Sequence, residues 1–428
     1  MTFIGKISTI SNMTIDKWLF LLFLAQVVFI TRFYFLANLN EFIMLLLIFF
    51  NRSMRLRLLD FCKSRVGHFF LFFLTYIVVS SLISNSFDRN GINEILSWRK
   101  LVLIPIGWLV INTRKRFEVL VRVIFAVGTI FLILSFFMYY NLTEFWGRDS
   151  TEILQNHSAQ GIWFSICIFL GYFYREAFNR ESFQALGVCL YGGVCILLAA
   201  NLLVVGSGRS GYVVLLLVFT FLIYDWWHQF RNRKYSKYLL LLGSSLFICL
   251  WPFFGGVIEQ SVTDSARQVQ EFLDGSHSNN SSSIRIAMSL NAFELWLENP
   301  VFGTGGGLFG VRYDQLASGK SGLFALPSDN PHNFYLHLLA EYGVIGLISF
   351  LSFIFILASA IIKGSRRDHA LVIFLITVGL ILSFVNGFWS GFVIGRLFFI
   401  LLGSLLGVAQ PLLAEETLGY MRKNNGRI

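Results

Sequence analysis

The sequence predicts an all-α polytopic membrane protein with about twelve transmembrane helices and one large hydrophilic loop. Three observations carry this. Of 428 residues, 56% are hydrophobic and only 14% are charged. The apolar residues collect in runs of about twenty, the length that spans a hydrocarbon core. Lys and Arg collect in the short segments between alternate runs, as they do in cytoplasmic loops. A soluble domain of this length needs more polar residues to cover its surface, so the apolar excess faces lipid. A membrane β-barrel would show alternating segments of about ten residues, which the sequence lacks. The six prolines suit long, unbroken helices.

The expected spans run from Trp18 to Ile30, Phe33 to Phe50, Val66 to Ser84, Trp98 to Ile111, Phe117 to Tyr140 and Ala159 to Tyr174. They continue from Ala185 to Val205, Tyr212 to Trp227, Tyr238 to Ile258, Phe334 to Ile362, Ala370 to Trp389 and Phe392 to Leu413. The first run passes into the second with no small-residue cleavage site, so the N-terminus reads as a retained helix pair. Residues 1–258 form an N-terminal helical region of about nine spans, 259–333 the large loop, and 334–428 about three C-terminal spans with a tail.

Orientation follows from charge. Arg52, Arg55, Arg57, Lys63 and Arg65 crowd one loop, and Arg114, Lys115 and Arg116 another. Arg231, Arg233, Lys234 and Lys237 fill a third, Lys363, Arg366 and Arg367 a fourth, and Arg422, Lys423 and Arg427 lie in the tail. If every span crosses, all of these share one side. That side is the cytoplasm, and both termini lie there. The formal net charge of +10 therefore needs no nucleic-acid partner. Cys62, Cys167, Cys189, Cys195 and Cys249 form no CxxC or Cys/His cluster, so no disulfide framework or zinc site is indicated.

The opposite face holds the polar segment Asn141 to His157 and the loop Glu259 to His332. Within that loop Ser281, Ser282 and Ser283 are expected N-caps. Ile284, Ala287, Met288, Asn291 and Leu295 then follow helical spacing, and Pro300 stops the helix. This predicts a short amphipathic helix on the outer surface. Glu259, Asp264, Glu271 and Asp274 are spaced like a solvated face. The run Gly303-Thr304-Gly305-Gly306-Gly307 lacks the Lys-Ser/Thr ending of a phosphate loop and the strand before it, and reads as a flexible turn. No metal site or cofactor motif stands out.

Candidate functional residues are cations and one histidine on the outer side. Arg99, Lys100 and Arg396 lie in or beside apolar runs, where a cation costs roughly 2.5–3.5 kcal/mol and needs a wet cavity or a partner such as Asp88 or Glu94. Arg209 lies in Gly206-Ser207-Gly208-Arg209-Ser210-Gly211, whose glycines are expected to leave it open to a ligand. Arg285 opens the loop helix. Guanidinium groups hold phosphate oxygens in a bidentate fork. His332 lies in Pro331-His332-Asn333 at the expected N-terminus of the next span, where the helix dipole favours neutral imidazole. A neutral imidazole is a competent general base, although an interfacial cap fits the same position. His337 and Glu341 lie one turn apart and are expected to pair structurally.

Three blocks make the chain resemble the O-antigen ligase and O-antigen polymerase superfamily. They are Gly208-Arg209-Ser210-Gly211-Tyr212, then Ser283-Ile284-Arg285 running on to Glu298-Asn299-Pro300-Val301-Phe302-Gly303-Thr304-Gly305, then Pro331-His332-Asn333 with Glu341-Tyr342-Gly343-Val344-Ile345-Gly346. The N-terminal half shares only its hydropathy and the Trp98-Arg99-Lys100 basic pair. The resemblance implies a glycosyltransferase of the bacterial inner membrane with a periplasmic active site. It would move a glycan from undecaprenyl diphosphate onto lipid A–core, among membrane lipids, without metal or nucleotide. His332 then matches the catalytic histidine, Arg209 and Arg285 match arginines that engage the diphosphate, and Arg99, Lys100 and Arg396 are further candidates for substrate contact. An O-antigen polymerase or a protein glycan ligase uses the same donor. A lipid-glycan transporter is a reading of another class, against which the scarcity of proline and the single lopsided loop argue.

Overall fold

The computed structural model describes residues 3–84, 89–140, 153–154, 156–178, 184–205, 208–230, 256, 259–260, 262–275 and 279–425. Every regular element among them is helical. The expected span Tyr238 to Ile258, the basic cluster at 231–237, most of the Asn141 to His157 loop, and Asp88 lie outside the described residues. The chain forms two compact units, one of Met1–Leu120 with Asn279–Ile428 and one of Val121–Ser278.

The first unit begins with α1 (Phe3–Arg32) and α2 (Tyr34–Phe50), the expected helix pair. Asn51 then ends α2 and caps α3 (Arg52–Lys63), its side chain accepting from the Met54 N–H at 3.0 Å. The sequence treats this basic stretch as a loop. The structure makes it a helix bent by 101° from α2, burying Met54 and Phe61 while Arg52, Arg55 and Lys63 stay exposed. Ser64 caps α4 (Arg65–Ile83) in the same way. α5 (Arg89–Trp98) follows, and the expected span Trp98 to Ile111 is a 3-10 turn, Arg99–Val102, running into α6 (Leu103–Val110).

α6 is only eight residues long and nearly wholly buried, because α16 (Val393–Asn425) lies against it. Gly403 and Gly407 make this possible. A Cβ at either would stand 2.5 Å from a backbone oxygen, of Ile104 and of Ile111 respectively. Small residues at a four-residue interval let two helix backbones approach closely. Cations close the C-terminal end of α6. Arg57 donates to the Leu109 carbonyl at 3.2 Å and Arg116 to the Val110 carbonyl at 2.8 Å. Arg116 also pairs with Asp16, and Arg114 pairs with buried Asp368 at 2.5 Å. Three of the basic segments, at 52–65, 114–116 and 363–367, thus gather at one end of this unit.

The C-terminal part of the unit starts with α12 (Ser281–Glu298), which follows a helical stretch at 262–273, here α11, that belongs to the second unit. The cap of α12 is Asn280, accepting from Ser283 N–H at 2.8 Å, rather than one of the three serines. Ala287, Met288, Asn291 and Leu295 are buried as the spacing predicts. α13 (Phe309–Ser318) packs beside it, and Phe309, Tyr313 and Ala317 join Met288, Ala292, Leu295 and Ala340 in a small core. α14 (Phe334–Ile361) and α15 (Arg366–Leu382) complete the set.

α14 is broken at Gly343, whose φ of 64° and ψ of −168° interrupt the helix. The glycine run packs into this break instead of swinging free. Thr304 N–H donates to the Ala340 carbonyl at 2.8 Å, Gly305 N–H to the Glu341 carbonyl at 2.9 Å, and Val344 N–H to the Pro300 carbonyl at 2.9 Å. Gly307 N–H donates to the buried Glu341 carboxylate at 2.5 Å. A Cβ on Gly303 would stand 2.4 Å from the Glu341 carbonyl carbon, so no other residue fits this approach.

The second unit holds most of α7 (Arg114–Tyr139), α8 (His157–Phe173), α9 (Gln184–Val204) and α10 (Arg209–Phe230). α8 is buried along nearly its whole length. Gln160 and Asn201 both donate to Ser135 Oγ at 3.1 Å, which ties α7, α8 and α9 together away from water.

Four helices, α4, α7, α10 and α14, are each long and apolar enough to cross a membrane, and the bent pair α2–α3 makes a fifth if counted once. Several other expected spans fall just short of the length. α8 and α15 have 17 residues each, at the lower limit of about 17–25 that reach across a bilayer.

Gly343→Ala should lower thermal stability in detergent by about 1–3 kcal/mol, since it adds a Cβ in a left-handed conformation against the Val301 carbonyl. Gly192→Ala, where the added Cβ meets no neighbour, should leave the melting temperature unchanged in the same assay.

Candidate active site

His332 stands one residue before the N-cap of α14. Asn333 is that cap, accepting from Leu336 N–H at 3.1 Å. His332 itself has a φ of 54°, the sole positive φ of a non-glycine among the described residues. Such a backbone is held only where its surroundings enforce it, and it is a common feature of functional sites. Here the restraints come from several elements. Asn330 Oδ1 accepts from the His332 N–H at 2.9 Å. Ser289 of α12 donates to the Pro331 carbonyl at 3.3 Å. Ser328 N–H donates to Asp314 of α13 at 3.1 Å, and Phe334 N–H to the Ser383 carbonyl at the end of α15 at 2.8 Å.

Burial lowers the pKa of the His332 imidazole below its ordinary value, the Arg285 guanidinium lowers it further, and Asp329 opposes both. The sequence assigns this direction to the helix dipole. The structure assigns it first to desolvation and then to a neighbouring cation. Arg285, one turn before Ser289 on α12, is thus an electrostatic neighbour of His332, and both it and burial favour the neutral imidazole.

Arg209 is the first residue of α10, on the second unit, and is exposed. The glycines beside it do different work from that expected. A Cβ on Gly208 would lie 2.8 Å from the His157 backbone, and one on Gly211 would lie 3.0 Å from the Gly161 Cα. They let α10 pack closely on α8.

Arg99, Lys100 and Arg396 form a second cluster in the first unit. Its centre is Glu41 of α2, which is 2% exposed. Arg396 Nε donates to Glu41 Oε1 at 2.6 Å, and Gln26 Nε2 donates to the same oxygen at 2.9 Å. Arg99 Nε lies 3.6 Å from Glu41 Oε2. Arg396 also donates to Asn38 Oδ1 at 3.2 Å and lies 3.9 Å from the Phe392 ring centre. Lys100 Nζ donates to the Ser390 carbonyl at 2.6 Å and is buried. The partner of this cluster is therefore Glu41. Glu94, the candidate partner among the described residues, instead accepts from Trp98 Nε1 at 2.6 Å and from the Tyr342 hydroxyl at 2.9 Å. Of the three cations only Arg99 keeps a substantial exposed side chain, at 35%.

Sequence reasoning passed over Glu41, Asn38 and Asp329. For Glu41 a signal existed, since a lone carboxylate inside an apolar run demands a buried partner. His337 and Glu341 pair as expected, at 2.8 Å. Among the described residues no group of His, Cys, Asp and Glu could hold a metal ion, and Cys62, Cys167 and Cys195 are free.

Helices long and apolar enough to cross a bilayer, with a strained histidine and an arginine at the end of one of them, define a membrane protein with a candidate site at the membrane boundary. Residues 194–351 match the family model described as O-antigen ligase, a segment that contains Arg209, Arg285 and His332. By that match this segment is similar to the O-antigen ligase family, whose members are glycosyltransferase-type enzymes acting on lipid-linked glycans. No curated protein matches the chain.

Glu41→Ala should cost about 3–5 kcal/mol of stability, because it strands a buried guanidinium. The double variant Glu41→Ala with Arg396→Met should recover most of the loss, measured by thermal unfolding in detergent.

Proposed function

We propose that this protein is an O-antigen ligase, transferring a glycan from undecaprenyl diphosphate to lipid A–core by metal-independent, inverting glycosyl transfer. The observation that carries the proposal is the meeting of Arg285 and neutral His332 within the segment that matches the family. His332 takes the proton from the acceptor hydroxyl. The acceptor oxygen bonds to the anomeric carbon as the bond from that carbon to the diphosphate oxygen breaks. The leaving diphosphate departs with the electron pair, and its growing charge is stabilised by guanidinium groups. The donor is already activated, so no nucleotide is consumed. Arg285 supplies one cation beside the base, and Arg209 is assigned a second contact with the diphosphate from the resemblance. Arg99 is the best placed of its cluster for substrate contact, since Lys100 and Arg396 are buried on protein partners.

The same reading places the protein in the bacterial inner membrane with about twelve spans, both termini cytoplasmic and the active site periplasmic. The gathering of Arg57, Arg114 and Arg116 at one end of the first unit supports this orientation.

A strain lacking the gene should show bare core on a lipopolysaccharide gel and should accumulate lipid-linked polymer. Core bearing a single repeat would assign the protein as an O-antigen polymerase instead. His332→Ala should lower transfer by about 10²–10⁴-fold and fail to restore the ladder; a normal ladder would eliminate the proposed base.

The pH profile follows from the lowered pKa of His332. The base works when neutral, so activity persists as pH falls until the imidazole protonates, below the usual histidine range. Removing the cation in Arg285→Ala raises that pKa, so the acidic limb of the profile should move to higher pH. Arg285→Lys should leave the limb near its original position.

A further inference from the structure

The outward face of α12 is apolar. At 100° per residue the buried positions beyond the first turn, Ala287, Met288, Asn291, Ala292 and Leu295, occupy one side of the helix, while Ser283 of the first turn is buried beside the opposite stripe. Directly opposite lie Ile286, Leu290, Phe293 and Leu297, a separate stripe with no polar residue in it. Leu290 is 47% exposed, Phe293 42% and Leu297 55%. The polar residues stand on the two flanks, Arg285 and Ser289 on one, Glu294 and Glu298 on the other. A helix lying against water turns its polar residues outward. This one confines them to its sides.

The position of the stripe says what covers it. Past the helix the apolar surface continues through Val301, 51% exposed, and Phe302, 65% exposed. Those residues are fixed to a membrane-crossing helix at its break. Val344 N–H donates to the Pro300 carbonyl and Ile345 N–H, at 3.4 Å, to the Val301 carbonyl. Beyond Gly343 the helix runs 18 residues to Ile361, about 27 Å at the α-helical rise. That nearly matches the hydrocarbon thickness of about 30 Å, so Val301 and Phe302 sit where this span leaves the hydrocarbon. Ile348, one turn further in, is itself exposed and apolar. The outward face of α12 is thus continuous with the lipid-facing side of a span.

We propose that α12, with Val301 and Phe302, is seated in the bilayer surface, its Ile286–Leu290–Phe293–Leu297 stripe covered by lipid acyl chains of the outer leaflet. The helix lies in the interface plane, as amphipathic helices with an apolar face do. Its Arg285–Ser289 flank reaches the Pro331-His332 segment, so the same seating holds the candidate base at the depth of lipid headgroups. The proposal rests on the membrane reading alone and stands whichever glycan the protein transfers.

The test uses full-length protein with its five cysteines replaced by Ala, reconstituted in phosphatidylethanolamine–phosphatidylglycerol nanodiscs. Spin labels are attached, one at a time, after Leu290→Cys, Phe293→Cys, Leu297→Cys or Phe302→Cys, and on the flank after Glu294→Cys or Glu298→Cys. Collision with oxygen, which concentrates in hydrocarbon, is compared with collision with a water-soluble nickel chelate. The stripe labels should show an oxygen-to-nickel ratio several-fold above that of the flank labels. Equal ratios with frequent nickel collisions would place the stripe in water and overturn the proposal. Stripe labels shielded from both reagents would show protein covering the face, another part of this chain or a second copy, and would overturn it equally. Three independent stripe positions, with Phe302 beyond the helix as a fourth, keep the outcome readable if one variant fails to fold.

Discussion

The break in α14 at Gly343 is the constraint on which the end of the first unit that carries His332 depends. A helix interrupted inside an apolar run leaves backbone groups without partners, and in a membrane these must be satisfied by protein. Here the segment Pro300–Gly307 satisfies them, strand-like in its bonding but built of glycine so that two backbones can meet. The same contact fixes the end of α12, the start of the second half of α14, and the buried Glu341. Everything around His332 is hung from these elements. The left-handed backbone of His332 is affordable because Asn330, Ser289, Asp314 and Ser383 each hold a part of the segment around it.

Charge in the first unit is sorted into three places. At one end Arg57, Arg114 and Arg116 close helix termini and pair with Asp16 and Asp368. Within the helices, Glu41 collects Arg396, Arg99 and Gln26. At the junction of α12 and α14, Arg285 acts electrostatically on the His332 imidazole. The first two arrangements neutralise cations and hold helices in register. The third lowers the pKa of an imidazole. Residue type alone does not separate these roles, since arginine serves in all three. What separates them is the group each guanidinium acts on: a helix-end carbonyl or carboxylate, the buried Glu41, or the His332 imidazole.

Much of this was legible in the sequence. The helical class, most helix positions and the likeness to the O-antigen ligase family followed from run length, loop charge and three short blocks, because hydrophobic matching to a bilayer is a constraint that acts residue by residue. The buried side of α12 followed from its spacing. The rest depended on long-range packing. The basic stretch at 52–63 reads as loop because its cations hide a helix that buries only Met54 and Phe61. The glycine run at 303–307 reads as flexible because its partner, the backbone at Glu341, is distant in sequence. Gly208 and Gly211 read as an open cradle for Arg209 because the surfaces they meet, at His157 and Gly161, belong to another helix. Glu41 was passed over for the same reason: its three partners come from α1, the turn after α5, and α16.

The burial of α6 bears on how the chain is made. A segment of eight residues is too short to partition stably into lipid by itself, and its surroundings are supplied by α16, synthesised near the end of the chain. During biogenesis α6 has to be sheltered, by the insertion machinery or by earlier helices, until its late partner emerges. Assembly of the first unit therefore waits for Gly403 and Gly407 to slide into place. Loss of those two small side-chain positions would show itself as a defect in membrane biogenesis before any defect in chemistry.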